Sequence, residues 1–196
     1  MSPEPPSIVI LAGPNGAGKS TAAPFLIRDT LGISEFVNAD VIAQGLSGFA
    51  PERSAIAAGR IMLERLRSLV GERQTFAFET TLATRSFVPW LEAARIDGYR
   101  VCLLFLHLDS PQRAIDRVKH RVRSGGHDVS PEVIVRRYHR GLNNFFCLYR
   151  SICDEWLVYD NSGAAPLPIA SGGRYKSTEI VDGTVWEAVR KAHESP

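Results

Sequence analysis

Gly13, Pro14, Asn15, Gly16, Ala17, Gly18, Lys19, Ser20 and Thr21 follow the pattern G-x-x-x-x-G-K-[ST], directly after the apolar run Ile8 to Ala12. A strand, a glycine-rich loop and the start of a helix therefore arrive in one order, which leaves few folds open. Glycines let successive backbone N–H groups converge on phosphate oxygens, and a helix beginning near Lys19 adds the positive end of its dipole. Lys19 supplies a mobile charge for the terminal phosphates, and Ser20 offers a hydroxyl to Mg²⁺. The expected ligand of these nine residues is a nucleoside triphosphate, ATP ahead of GTP.

At 196 residues, 44% of them hydrophobic, the chain can bury one good core and is short for two, so residues 1–196 read as a single domain. The net charge of +2 calls for neither a nucleic-acid nor a membrane partner. Cys102, Cys147 and Cys153 form no C-x-x-C pair and are odd in number, which favours packing residues in a reducing compartment over a disulfide framework. No apolar run has the length of a membrane span, and the first residues lack a basic segment leading into an apolar signal core. A cytoplasmic location is expected.

Strand and helix patterns alternate along the chain, which predicts a mostly parallel sheet with helices on both faces. A helix is expected from Lys19 to about Asp29, then a short strand Phe36 to Asn38 that delivers Asp40. A long helix from about Pro51 to Gly71 carries Ile56, Gly59, Leu63, Leu66 and Val70 at the spacing of one apolar face, read as core packing. The run Thr75 to Phe78 reads as a strand ending in Glu79, Thr80 and Thr81, and Tyr99 to Leu108 as the most apolar strand. Ser110-Pro111 and Ser130-Pro131 are helix starts flanking Ser124-Gly125-Gly126-His127-Asp128, a connection suited to a lid spanning roughly residues 113–140. Trp156 to Tyr159 is a further strand. A hairpin around Gly172-Gly173 and a terminal helix fill residues 165–196.

Asp40 sits where a strand meets a helix beside the phosphate loop, so it is either a helix cap or a general base for a substrate hydroxyl. Glu79 is a candidate for orienting metal-bound water or binding substrate, and Thr81 for an acceptor hydrogen bond or a cap. Arg113, Arg117 and Arg121 recur every four residues, and Arg136, Arg137 and Arg140 follow the glycine connection. Between Arg113 and Arg150 nine basic residues face three acids, Asp116, Asp128 and Glu132. Arginines on a closing lid are suited to the charge of a transferring phosphoryl group. His127 is a weaker candidate. Asp109 ends an apolar strand as a Walker B acid would, but it precedes a helix start, so Glu79 is preferred for metal chemistry.

Together, AGPNGAGKST, FVNAD, FAFETTL, the GGH connection followed by RRY, and VYDNSG resemble the compact zeta-toxin-like P-loop kinases over about Ile8 to Ile169. The resemblance implies a three-layer, kinase-type P-loop fold with a helical lid. It also implies ATP and Mg²⁺ as cofactors, a small-molecule phosphate acceptor of the UDP-N-acetylglucosamine type, and an antitoxin protein as partner. By this resemblance Lys19 and Ser20 match the loop lysine and metal-binding hydroxyl, and Asp40 the catalytic base. Glu79 and Thr81 match the E-x-T substrate motif, and Arg117 a lid arginine. Two positions depart from the pattern. His127-Asp128 replaces a second phosphate-binding arginine, leaving Arg121, Arg136 or Arg137 to substitute, and Arg60 lies nearest to where an acidic sugar contact is expected.

Overall fold

The computed structural model describes residues 4–48, 51–126 and 128–194. His127 lies outside the described residues. The elements run β1 (Ser7–Ala12), α1 (Lys19–Ala23), β2 (Phe36–Val37), α2 (Ala39–Leu46), α3 (Ala55–Gly71), β3 (Phe76–Thr80), α4 (Phe87–Ile96) and β4 (Arg100–His107). They continue with α5 (Pro111–Arg123), α6 (Pro131–Asn144), α7 (Arg150–Ile152), β5 (Glu155–Asp160), β6 (Leu167–Gly173), β7 (Lys176–Ile180) and α8 (Gly183–Glu194). α1 passes at Pro24 into wider π-helical turns over Pro24–Thr30.

One seven-stranded sheet has the order β2-β3-β1-β4-β5-β6-β7. β2, β3, β1, β4 and β5 are parallel, and β6 and β7 close one edge in antiparallel pairing. In register, Ala12 lies beside Thr80 on one side and Phe105 on the other, while Val37 lies beside Phe78. The chain therefore leaves β1, β2, β3 and β4 along one edge, which gathers Gly13, Asn38, Glu79 and Leu108. Side chains alternate across the strands as the pleat requires. Ile8, Ile10, Phe76 and Phe78 pack under α3 and α4, while Val9, Leu11, Ala77 and Leu106 pack under α1 and α5.

α6 joins the two cores. Its first half buries Ile134 and Tyr138 on the α5 side, and its end buries Leu142 on the other. To do so it crosses the strand ends: Tyr138 Oη donates to Leu108 O at 2.7 Å and Asn144 Nδ2 to Leu82 O at 2.7 Å. A Cβ on Gly141 would stand 2.3 Å from the Thr81 carbonyl, so the helix touches the segment after β3 backbone to backbone.

Three expectations are corrected. The core face of α3 is Ala58, Met62, Leu66 and Leu69, whereas Ile56 is 76% exposed, because the first turns of this helix overhang the strand ends instead of covering the sheet. Gly172 and Gly173 lie inside β6, and the hairpin turns at Arg174-Tyr175. Gly172 lies against the Trp156 ring, where a Cβ would come within 2.5 Å of the indole. Cys147 is exposed, so only Cys153 is fully a packing residue.

His107 ends β4 at 5% exposure, 6.2 Å from the Tyr138 ring centre. Burial pulls its pKa from 6.5 to about 4 against the opposing fields of Asp160 and Asp109. The unfolded chain therefore binds one more proton between those values, so stability is present above pH 6.5 and is lost as pH falls through 4. Urea denaturation from pH 7 to pH 4 should show His107 contributing a loss of about 3 kcal/mol, absent in His107→Phe.

Candidate functional site

The phosphate loop lies at the strand edge between β1 and α1. Gly13 has φ 142°, and a Cβ there would stand 2.3 Å from the Leu106 carbonyl, so the neighbouring strand admits only glycine. Ala17 N donates to Pro14 O at 3.1 Å, which tightens the bend. Asn15 and Lys19 are buried within the loop, and Ser20 and Thr21 face outward into the cleft. Lys19 Nζ donates to Gly13 O and Pro14 O at 2.9 Å each and lies 3.6 Å from Glu79 Oε1. Burial lowers the pKa of its ammonium, Glu79 and Asp40 oppose that shift, and Arg121 adds to it.

Glu79 is where three segments meet. Its Oε2 accepts from Ser20 Oγ at 2.9 Å and from Asn38 Nδ2 at 2.7 Å. Asn38 in turn caps α2, its Oδ1 accepting from Asp40 N at 2.7 Å and Val41 N at 3.4 Å. Asp40 is thus not the cap: it is the second helical residue, and it lines the cleft with its side chain uncommitted to the helix start. Asn38 was missed as a functional residue. Its signal was an Asx residue at a strand-to-helix junction two positions before a cleft acid.

The basic side of the cleft is built by α5 and α6. Arg117, Arg121 and Arg137 line it, and Arg136 is exposed and does not. Arg137 Nη1 contacts Asn15 Oδ1 at 3.4 Å. Burial lowers the pKa of its guanidinium while Asp40 opposes that shift, and both residues line the cleft. Arg117 is engaged: Nη1 donates to Asn161 O at 2.7 Å, and Nη2 to Ser162 O at 3.0 Å and Gly163 O at 3.2 Å. Asn161, also missed in the sequence, sends Nδ2 to Ala17 O at 2.7 Å. It thereby ties the chain after β5 to the phosphate loop. Arg113 turns away, with Nε and Nη2 each 2.7 Å from the Asp109 carboxylate, and this bidentate pair holds Asp109 outside the cleft.

The resulting cleft has a volume of about 960 Å³ and runs from Asn161 and Gly163, past the phosphate loop, to Thr81 and the first turns of α3. Such a volume accommodates a nucleotide with room for a second small molecule. Among the described residues no cluster of three His, Cys, Asp or Glu is suited to hold a metal ion by protein ligands alone. Ser20 and Glu79 instead offer oxygen donors 2.9 Å apart beside the buried lysine, which fits a hard cation that keeps most of its waters.

The AAA_33 profile, described as AAA domain, matches residues 8–142. An uncharacterized protein of Haemophilus influenzae (strain ATCC 51907 / DSM 11121 / KW20 / Rd) is 28% identical over 130 residues, 66% of this chain and 91% of that protein. A chain of the AvrRxo1-ORF1:AvrRxo1-ORF2 complex with sulphate ions superposes at a TM-score of 0.71 with 16% identity, covering 97% of this chain. This chain spans 65% of the length of that one. A chain of the PezAT chromosomal toxin-antitoxin system of Streptococcus pneumoniae gives a TM-score of 0.63 at 15% identity, covering 99% of this chain and 87% of its own. The shared architecture is the P-loop kinase-type α/β fold.

Two substitutions separate the roles of these side chains. Asn38→Ala removes a helix cap and a hydrogen bond to a carboxylate, and should lower stability in urea by about 2–3 kcal/mol. Arg117→Ala releases three carbonyls of one loop, and amide exchange over residues 161–163 should quicken roughly ten-fold or more.

Proposed function

The chain belongs to the AAA_33 family of AAA domains, and from that premise we propose that it is an ATP-dependent phosphotransferase acting on a hydroxyl of a small molecule. The observation that carries this is the gathering of Asp40, Arg121 and Arg137 on one cleft that also holds the Lys19, Ser20 and Glu79 network. An ATPase needs a way to position water. A separate wall of α3 and α4 residues beyond Asp40 instead leaves room for an organic acceptor.

In the proposed reaction the loop amides and Lys19 hold the β- and γ-phosphates of ATP, with the 161–163 segment alongside. Asp40 takes the proton of the acceptor hydroxyl, that oxygen forms its bond to the γ-phosphorus, and the bond from phosphorus to the β–γ bridging oxygen breaks, releasing ADP. Arg121 and Arg137 stabilise the equatorial oxygens. Arg137 takes the place of the arginine that His127-Asp128 does not supply, and the exposed Arg136 is not needed for it. Thr81 positions the acceptor. Bound Mg²⁺ would be held by Ser20, with Glu79 and Asp40 orienting its waters, and would neutralise charge on the phosphates.

The acceptor we assign is a UDP-amino sugar such as UDP-N-acetylglucosamine, on the strength of the FVNAD and ETT segments that match the zeta-toxin pattern. The AvrRxo1 pair has also been crystallised with ATP, and the PezAT protein comes from a toxin-antitoxin system. Both support ATP as donor and an antitoxin as partner. No helix among the described residues is long and apolar enough to cross a membrane. Arg60, standing where the pattern expects an acid, favours a second reading in which the acceptor is a nucleotide.

Phosphorus NMR of the protein with ATP, Mg²⁺ and a panel of UDP-sugars, nucleotides and nucleosides tests the assignment. Lys19→Ala should abolish transfer. Asp40→Asn should lower kcat by about 10²–10⁴-fold with little change in ATP affinity. Undiminished transfer by Asp40→Asn would remove Asp40 as the base, and salt-dependent RNA binding without any transfer would replace the kinase by a binding module.

A further inference from the structure

The chain leaves β3 along a path that its sequence does not favour. Leu82 has φ 56°, in the left-handed region that glycine adopts freely and that a leucine side chain opposes. Such a conformation persists only where the surrounding structure over-determines it, and it gathers at ligand sites. Leu82 directly follows Thr80 and Thr81, which both line the cleft. Its own side chain is fully buried in the core under α3 and α4, so packing explains the leucine and leaves the left-handed backbone to be explained.

The groups that hold this segment come from one stretch of helix. Asn144 Nδ2 donates to Leu82 O at 2.7 Å, and Tyr149 Oη donates to Thr84 O at 2.7 Å. Leu82 N in turn donates to Thr80 Oγ1 at 3.1 Å. Just before Asn144, Gly141 meets the Thr81 carbonyl so closely that no Cβ would fit. Asn144 and Tyr149 are 3% and 0% exposed, so bulk water does not stand in for either bond.

A second irregularity makes this arrangement possible. Residues five apart on an α-helix point about 140° away from each other, which would carry Tyr149 off the side that Asn144 occupies. The chain does not continue α6 as an α-helix: Phe145–Tyr149 is π-helical, with i to i+5 bonding, before α7 begins. The wider turn brings Tyr149 back toward the side of Asn144, and both reach the segment 82–84. π-Helical turns are rare and concentrate at functional sites. Two unfavourable backbone features thus meet on one short piece of cleft wall.

We infer that Asn144 and Tyr149 are positioning residues for the phosphate acceptor: by holding Leu82 in its left-handed conformation they fix the path of the chain out of β3, and with it the place of Thr81 at the cleft. This rests on the transfer reading, in which Thr81 meets the acceptor. Neither residue lines the cleft, so both act through backbone carbonyls. Without Asn144, Leu82 relaxes toward negative φ and Thr81 leaves its station. The phosphate loop, held by Lys19 and Asn161, stays as it is.

Steady-state transfer from ATP to UDP-N-acetylglucosamine, read together with amide exchange, tests this. Asn144→Ala and Tyr149→Phe should each raise KM for the acceptor ten-fold or more, with KM for ATP within two-fold of wild type. Both should quicken amide exchange over residues 81–84 ten-fold or more, while residues 13–21 exchange as in wild type. Leu82→Gly supplies the discriminating background, because glycine takes φ 56° without support. The double variant Leu82→Gly/Asn144→Ala should melt below Asn144→Ala, having lost a buried leucine, yet recover at least three-fold in acceptor KM. A role in stability alone requires the opposite order. Unchanged acceptor KM in both single variants, or a double variant whose acceptor KM is no lower than that of Asn144→Ala, would overturn the assignment. If wild type transfers phosphate to no acceptor, the transfer reading fails separately and exchange decides: quickening confined to residues 81–84 sustains the hold on the cleft wall, and wild-type exchange in Asn144→Ala overturns it.

Discussion

The Glu79 carboxylate, 11% exposed, accepts from Ser20 and Asn38 and lies 3.6 Å from the Lys19 ammonium. A buried carboxylate is tolerated only when donors and a counter-charge replace its lost water. Here those partners come from the phosphate loop and from the junction of β2 with α2, so satisfying one charge fixes the relative position of three segments. The same bonds set the direction of α2, because the Asn38 that donates to Glu79 also caps that helix. Asp40 is therefore aimed into the cleft by a carboxylate it does not touch.

A second set of contacts closes the site from the opposite side. Arg117 reaches three carbonyls of the chain after β5, and Asn161 returns a bond to the phosphate loop. Gly16 lies so close to α5 that a Cβ there would be 2.7 Å from the Ala114 carbonyl. The first turns of α5 are thus part of the rigid frame. Arg117, expected to act on the transferring group, holds the frame in this arrangement, and Arg137, brought over the strand ends by α6, contacts Asn15 of the phosphate loop and lines the cleft with Asp40.

Much of this was legible because it depends on local chemistry. The phosphate loop and the Ser110-Pro111 and Ser130-Pro131 helix starts are set by residues within one or two turns of each other. Asp109, read as the weaker candidate for metal chemistry, is bound by Arg113 four residues away and lies outside the cleft that Glu79 lines. What escaped was long-range. Asn38 and Asn161 are small polar residues in loops, and nothing local distinguishes one that bonds 41 or 144 residues away from one that faces water. Gly59 was read into a core stripe because periodicity gives the angle of a face without telling what lies opposite it.

By itself, then, the sequence determined a phosphate-binding loop at the edge of a mostly parallel sheet and the acids and arginines from which a transfer site could be drawn. Those follow from backbone conformational limits, charge and spacing, which act along the chain. The tertiary structure alone decided which arginine is engaged, which acid is free, and that the start of α3 lines a cleft instead of a core. Those outcomes depend on where α6 crosses the strand ends and how far α3 overhangs them, distances set by the packing of whole elements on the two faces of the sheet.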